Sequence, residues 1–435
     1  MAKRDTPVPT TRMGRFARVA KLAGGVAGGM LAEGGRRLRA GERPRARDML
    51  LTPGNARRVA DELATMRGAA MKLGQMLSMD GGDFLPRQLA DILARLRSDA
   101  DNMPAEQLQQ ALQTAYGEDW EALFYDFDPQ PIAAASIGQV HRTLAPDGRE
   151  IVLKVQYPGV AKSIDSDVDN IAGLLRLSGL LPAGIDIGPL LQEAKAQLRD
   201  EANYLVEAQY LASFCELLAD DERFIVPEVL PELTTEHVLA MTYIASDPIE
   251  VIADLPQARR DELVSAMIDL MLREFFELRM VQTDPNFANY RYQQSSEKIV
   301  LLDFGATRRF KAGFVNDYKR LVKAVLADNP ERLLSAAEKL GYLVVEANAE
   351  YRELVLEIFA IALEPLTSDG PYDFGDSDIS ARLAEIGETV QDFKEFWQAP
   401  PSDAVFFHRK VGGMFLLAQR MNARVDVNQL VRQWL

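Results

Sequence analysis

Two short stretches near residue 300 constrain this chain more than anything else in it. An apolar run, Ile299-Val300-Leu301-Leu302, ends in Asp303-Phe304-Gly305. A strand that delivers a carboxylate just before a glycine can hold a divalent cation between nucleotide phosphates. Asn289 stands fourteen residues upstream of Asp303, and Asp284 five residues before that, in Gln282-Thr283-Asp284-Pro285-Asn286-Phe287-Ala288-Asn289. That spacing suits a carboxylate beside an attacking group and an amide oxygen on a second metal position. Each stretch alone has an ordinary reading: the triplet occurs in many unrelated chains, and Asp-Pro-Asn is a common helix-capping turn. Their joint order and spacing favour phosphoryl-transfer chemistry.

A protein-kinase-like site also needs a strand lysine for the phosphates, and Ile151-Val152-Leu153-Lys154-Val155 supplies one. A Lys among β-branched residues is more often solvated on an edge strand. Its place after the Pro146-Asp147-Gly148 turn and before the Asp284 loop favours the functional role. The preceding segment, Ala133-Ala134-Ala135-Ser136-Ile137-Gly138-Gln139-Val140, has alanines where a phosphate-covering loop usually has glycines. Backbone approach to a phosphate is less free there. The texture from Ile132 to Leu144 and from Glu150 to Gln156 predicts strand, turn, strand. A helical tract over Val160–Leu218, broken near Pro182 and Gly184, and a strand over Val238–Ile244 follow, then a mostly helical remainder.

With these residues in view, the sequence resembles the UbiB-type (aarF-like) atypical kinases of coenzyme Q (ubiquinone) biosynthesis, in their mitochondrial and proteobacterial branch. Lys72-Leu73-Gly74-Gln75 matches that family's Lys-x-Gly-Gln signature, and Ala133 to Gln139 its Ala-rich loop. Gln156-Tyr157-Pro158-Gly159-Val160, Gln282 to Asn289 and Leu301 to Gly305 follow in the family's order. The resemblance implies that Lys154 holds the α/β-phosphates and that Glu207 orients it; on residues alone Glu193 or Glu201 would serve nearly as well. It also implies Asp284 at the reacting group, Asn289 and Asp303 on the metal, and Ala133, Ala134, Ala135 and Ser136 over the nucleotide. Met241 to Ile244, including Tyr243, would be the hinge that reads adenine through its backbone. Lys72, Gly74, Gln75 and Glu201 would be family-specific elements. Relatives carry Glu-x-Asp where this chain has Glu201-Ala202-Asn203, so the second acid is an amide here. In relatives the Lys-x-Gly-Gln helix covers the place where other kinases admit a peptide, which disfavours protein substrates.

Charge separates one segment from the rest. Residues 1–60 carry 14 Lys plus Arg against 4 Asp plus Glu, while the remainder carries 35 against 60. The overall charge of -15 argues against nucleic acid as the main partner. Phe16, Val19, Ala20, Ala23, Ala27, Met30 and Leu31 recur at helical spacing. Gly24 with Gly28 and Gly25 with Gly29 form small-xxx-small pairs flanked by arginines, which suits contact with an anionic membrane surface. Only eleven uncharged residues separate Lys21 from Glu33, too few for a span of about 20. The single cysteine, Cys215, cannot form an internal disulfide, so a reducing compartment is expected, cytoplasmic or matrix-like and peripheral to an inner membrane. Cys215 follows Phe214 in an apolar run and reads as core, and His408 as a packing or hydrogen-bonding residue.

The expected architecture is α+β, two-lobed, protein-kinase-like and helix-dominated. Its parts are a basic leader (1–53), a helical extension (54–128), a small lobe (129–245) and a large lobe (246–435). The expected activity is that of an ATPase or small-molecule kinase supporting ubiquinone synthesis, with ATP or ADP and Mg2+ or Mn2+ as cofactors. Anionic lipids, a quinone-precursor-like lipid and other biosynthetic proteins are the expected partners. The alternative is a nucleotide-gated scaffold or lipid-extracting chaperone with little turnover. A conventional protein kinase is disfavoured because Ala306-Thr307-Arg308-Arg309-Phe310 leads into a helical stretch with no Ala-Pro-Glu segment.

Overall fold

The computed structural model describes residues 36, 103–135, 137–177, 188–390, 393, 396 and 400–435. The leader apart from Arg36, the Lys72, Gly74 and Gln75 motif, and Ser136 lie outside the described residues. The chain divides into two compact units, one running to Ala212 and resuming over Pro227–Tyr243, the other comprising Ser213–Val226 and Ile244–Leu435.

The first unit is organised by one strand. Glu150–Gln156 lies between Gly138–Leu144 and Val238–Thr242 in an antiparallel sheet whose outer strand is Ala133–Ala134. Every residue of it after Glu150 is buried, which requires that both faces be covered. Ile151, Leu153 and Val155 point into one apolar cluster with Leu108, Leu112, Trp120 and Phe124. Leu108 and Leu112 lie one turn apart on the helix Ala105–Tyr116 and form its inner face. The alternate residues Lys154 and Gln156 point to the opposite face, where Gln156 Nε2 donates to the Ala202 carbonyl at 2.9 Å. The Pro146-Asp147-Gly148 turn forms as its residues demand, with Gly148 at φ +84 and Asp147 Oδ1 accepting from the Arg149 N–H at 3.0 Å.

The expected single strand over Ile132–Leu144 is instead two strands joined by a turn. The Ala135 N–H donates back to the Gly138 carbonyl at 2.9 Å, folding Ala133–Ala134 onto Gly138–Leu144. The helical tract contains a further break at Ala202-Asn203, giving helices Val160–Leu177, Gly188–Glu201 and Tyr204–Leu217. Asn203 makes that break locally: its Oδ1 accepts from the Leu205 N–H at 3.1 Å and starts the Tyr204–Leu217 helix.

In the second unit a four-stranded sheet has the order Phe224–Ile225, Lys298–Leu301, Tyr290–Gln293, Asp247–Pro248, and a separate pair joins Met280–Gln282 to Thr307–Arg309. The strand read from Ile299-Val300-Leu301-Leu302 is present as Lys298–Leu301; the others are two to four residues long, too short to leave a period in the sequence, and the expectation of a mostly helical remainder did not include them. Helices Gln257–Arg273, Ala312–Leu326 and Ser402–Arg420 supply the bulk. Phe275 is fully buried among Phe310, Tyr318 and Phe407, stacking on Phe407 with ring centroids 3.7 Å apart. Phe214 is fully buried, whereas Cys215, expected to be core, is only half-buried beside it. His408 hydrogen-bonds through Nε2 with Tyr318 and Tyr342 at 2.9 and 2.8 Å.

A buried polar relay fastens residue 103 to the first unit's sheet. His141 Nδ1 lies 3.0 Å from the Asp128 carbonyl, an acceptor, so that nitrogen carries the proton. Nε2 then accepts from Gln139 Nε2 at 2.8 Å, and Gln139 Oε1 accepts from the Met103 N–H at 2.9 Å. A protonated imidazole would set two donors against each other. Burial lowers the His141 pKa, and the Asp128 carbonyl opposes that only in part. The folded form therefore binds a proton less readily than the unfolded chain, and this contribution is full above the unfolded value near 6.5 and lost as pH falls toward the folded value. Thermal melting from pH 7.5 to 5 should show a shallower loss of stability in His141→Gln than in wild type; parallel curves would assign the dependence elsewhere.

Candidate active site

Each unit carries one part of the constellation. In the first, Lys154 emerges from the buried face of its strand and meets Glu207 on the Tyr204–Leu217 helix. Its Nζ donates to Glu207 Oε1 at 2.7 Å and to Oε2 at 2.9 Å, and it lies 5.2 Å from the centre of the Tyr204 ring. Both side chains are buried, Lys154 at 6% exposure and Glu207 at 2%. The 53-residue separation is closed because Asn203 turns the chain back and the Tyr204 N–H binds the Glu236 carbonyl at 3.1 Å beside the sheet. Glu201 is buried at the end of the preceding helix.

The other expected elements of this unit frame the lysine strand. Ala133 and Ala134 are exposed on the outer strand, and the Ala135 N–H is committed to Gly138 within its turn. Gly138 marks a close approach that sequence reading passed over: a Cβ there would lie 2.3 Å from the Val155 carbonyl oxygen, next to Lys154. Met241 is buried opposite Val152, and the Tyr243 N–H pairs with the Glu150 carbonyl at 2.9 Å. The Tyr243 ring carries the Arg142 guanidinium 4.3 Å from its centre.

In the second unit, hydrogen bonds link the loop holding Asp284 to the loop holding Asp303. The Thr283 N–H and Oγ1 both donate to the Ala306 carbonyl, at 3.2 and 2.7 Å. At the other end the Leu302 N–H donates to the Asn289 carbonyl at 3.0 Å. Asn289 Nδ2 donates to the Asp284 carbonyl at 3.3 Å, which makes Oδ1 the atom that could ligate a cation. Asn286 caps the short 3-10 turn Phe287–Asn289 through the Ala288 N–H, and the Gly305 N–H donates to Asp303 Oδ1 at 3.0 Å. Asp284, Asn289 and Asp303 are thus held on backbone that is tied at both ends. Thr283, which sequence reading missed, is the residue that ties one of them.

Among the described residues no three His, Cys, Asp or Glu side chains gather into a cation cage. A metal that takes one or two protein ligands draws the rest from phosphate and water, as Mg2+ does with nucleotides. One amide oxygen and one carboxylate are the donor set such an ion accepts.

Comparison with known proteins gives the following. A family model described as the ABC1 atypical kinase-like domain matches residues 95–337. The chain is 37% identical over 434 residues to the atypical kinase COQ8B, mitochondrial, of Rattus norvegicus, covering 98% of this chain and 81% of that one. It is 35% identical over 437 residues to the atypical kinase COQ8, mitochondrial, of Saccharomyces cerevisiae, covering 99% and 87%. A relative from Caenorhabditis elegans, the atypical kinase coq-8, mitochondrial, is 35% identical, and the chain spans 58% of its length. A solved Mycobacterium tuberculosis protein, described in complex with erythromycin, shares the fold at a TM-score of 0.62 and 22% identity, over 87% of this chain and 95% of that one.

Removing one partner of a buried ion pair strands the other charge, at a cost on the order of 3 kcal/mol. Glu207→Leu should therefore lower the melting temperature more than the double variant Lys154→Met with Glu207→Leu. Equal losses would mean that the pair is not coupled in the folded protein.

Proposed function

The chain belongs to the ABC1 atypical kinase-like family, and on that footing we propose that it binds Mg-ATP and transfers or hydrolyses the γ-phosphoryl group in support of ubiquinone synthesis. The observation that carries this reading is the tied pair of loops that holds Asp284, Asn289 and Asp303 at kinase spacing. Lys154, held as an ammonium against Glu207, is the cation for the α/β-phosphates. Asn289 and Asp303 are the ligands for Mg2+, or Mn2+ in its place, which when bound neutralises charge on the phosphates. Asp284 orients the attacking hydroxyl or water and draws off its proton as the new oxygen–phosphorus bond forms and the bond to ADP breaks. Met241 and Tyr243 contribute backbone groups toward adenine.

The acceptor is a phenolic quinone precursor or water, and the basic leader, 1–53, brings the protein to an anionic membrane surface. Several relatives are named mitochondrial, and no helix among the described residues is long and apolar enough to cross a membrane. An inner-membrane periphery accommodates this, with the signature of Lys72, Gly74 and Gln75 disfavouring peptide substrates and Glu201 as the contact of Lys72.

Phosphate release from Mg-ATP should rise with anionic liposomes and a quinone-precursor-like phenol in wild type and vanish in Asp303→Asn. Turnover that survives the substitution would remove Asp303 from the site. One observation favours a second reading, a nucleotide-gated scaffold: the Ala135 N–H is spent inside its own turn, so the covering loop offers phosphate fewer donors than a glycine-rich one. Complementation by Asp284→Asn would then persist, whereas an enzyme that needs turnover should lose it.

A further inference from the structure

Helix Ser402–Arg420 carries none of the motif residues, yet its inner face meets the Asp284 loop twice. Lys410, 3% exposed, donates from Nζ to Tyr290 Oη at 2.6 Å and to Gln282 Oε1 at 3.4 Å, and lies 3.5 Å from Glu274 Oε2. Glu274 is itself 2% exposed, in the π-helical turn Glu274–Leu278 that ends helix Gln257–Arg273. Gln282 is the last residue of the strand that enters the loop, and Tyr290 the first of the strand that leaves it. A single ammonium, donating to Gln282 and Tyr290 and paired with Glu274, therefore grips both ends of residues 283–289. One turn further along the helix, Gly413 abuts Pro285, the residue after Asp284: a Cβ at 413 would lie 2.1 Å from the Pro285 Cβ.

Burial of an ion pair is weak evidence for a purely stabilising role, because such pairs are often replaced by apolar residues of similar volume without loss. Burial alone would favour the neutral amine, but the Glu274 carboxylate and the Tyr290 hydroxyl hold the Lys410 pKa above its ordinary value. The Glu274 pKa is raised by burial, against the pull of Lys410.

We propose that Lys410 is a positioning residue for phosphoryl transfer: acting through Gln282 and Tyr290, with Gly413 seating Pro285, it fixes the loop that presents Asp284 and Asn289. The inference rests on the reading of Asp284 as the group at the reacting centre, and its test separates the two. Hydrogen–deuterium exchange is followed on full-length wild type and on the double variant Lys410→Met with Glu274→Gln, which strands no charge. Exchange at 283–289 should accelerate about ten-fold while helix Gln257–Arg273 keeps its protection. Unchanged loop exchange, or equal acceleration of both segments, overturns the proposal. Gly413→Ala, which pushes on Pro285 without touching any charge, is read in the same way and decides the matter if the double variant fails to fold. In steady-state assays kcat should fall about ten-fold in the double variant with KM for ATP nearly unchanged, and a loss confined to KM would overturn the proposal. A wild type with no turnover at all would count against the proposed function, while the exchange experiment would still decide the role of Lys410.

Discussion

The carbonyl oxygen of Ala306 accepts two hydrogen bonds from one residue, Thr283, and much of the second unit's architecture follows from that. It ties the strand entering the Asp284 loop to the segment leaving Asp303, and the strands Met280–Gln282 and Thr307–Arg309 extend the tie. The Leu302 bond to the Asn289 carbonyl closes the other side. Metal-ligand and proton-transfer groups on short loops are useful only if their backbone does not wander, and here main-chain bonds and the Thr283 hydroxyl together supply the constraint. The aromatic cluster around Phe275 and the buried helix Gln257–Arg273 supply the rigid base to which these loops attach.

The first unit solves a different problem, which is to keep a lysine both buried and charged. Desolvation opposes an ammonium in a sheet interior, and the bidentate carboxylate of Glu207 offsets it. The strand that carries Lys154 gives Ile151, Leu153 and Val155 to an apolar cluster and Lys154 and Gln156 to polar partners on the other face, so the charged side chain and the hydrophobic core share a backbone without mixing. Asn203, which stands where relatives carry Asp, still accepts the Leu205 N–H, so the start of the Glu207 helix needs no carboxylate there.

What was legible in the sequence were groups whose chemistry forces a spacing. Lys154, Asp284, Asn289 and Asp303 announce themselves because an ammonium, two carboxylates and an amide recur in one order. The strand–turn–strand around Gly148 was legible because a left-handed position wants glycine. The apolar run before Asp303 was legible as a strand, but the other short strands of the second unit were not, since two to four residues leave no period to read. Gln139, His141 and Met103 were missed for another reason: their relay joins three residues of which only the folded chain makes neighbours. Lys410 was not singled out, because nothing in Phe407-His408-Arg409-Lys410 by itself marks one of its cations as buried. Glu207 was identified by resemblance, with Glu193 and Glu201 nearly as well suited on their own residues, and the folded chain pairs it with Lys154.

The seat of Pro285 on Gly413 leaves room for a hydrogen and nothing larger. Two positions far apart along the chain thereby become answerable to each other. A lineage that enlarges residue 413 has to shrink or displace residue 285 in the same step, and residue 285 sits beside the acid of the loop. The tail of the chain is drawn under the same selective pressure as the reacting loop, so a drift in either one would be recorded in the other as a paired substitution.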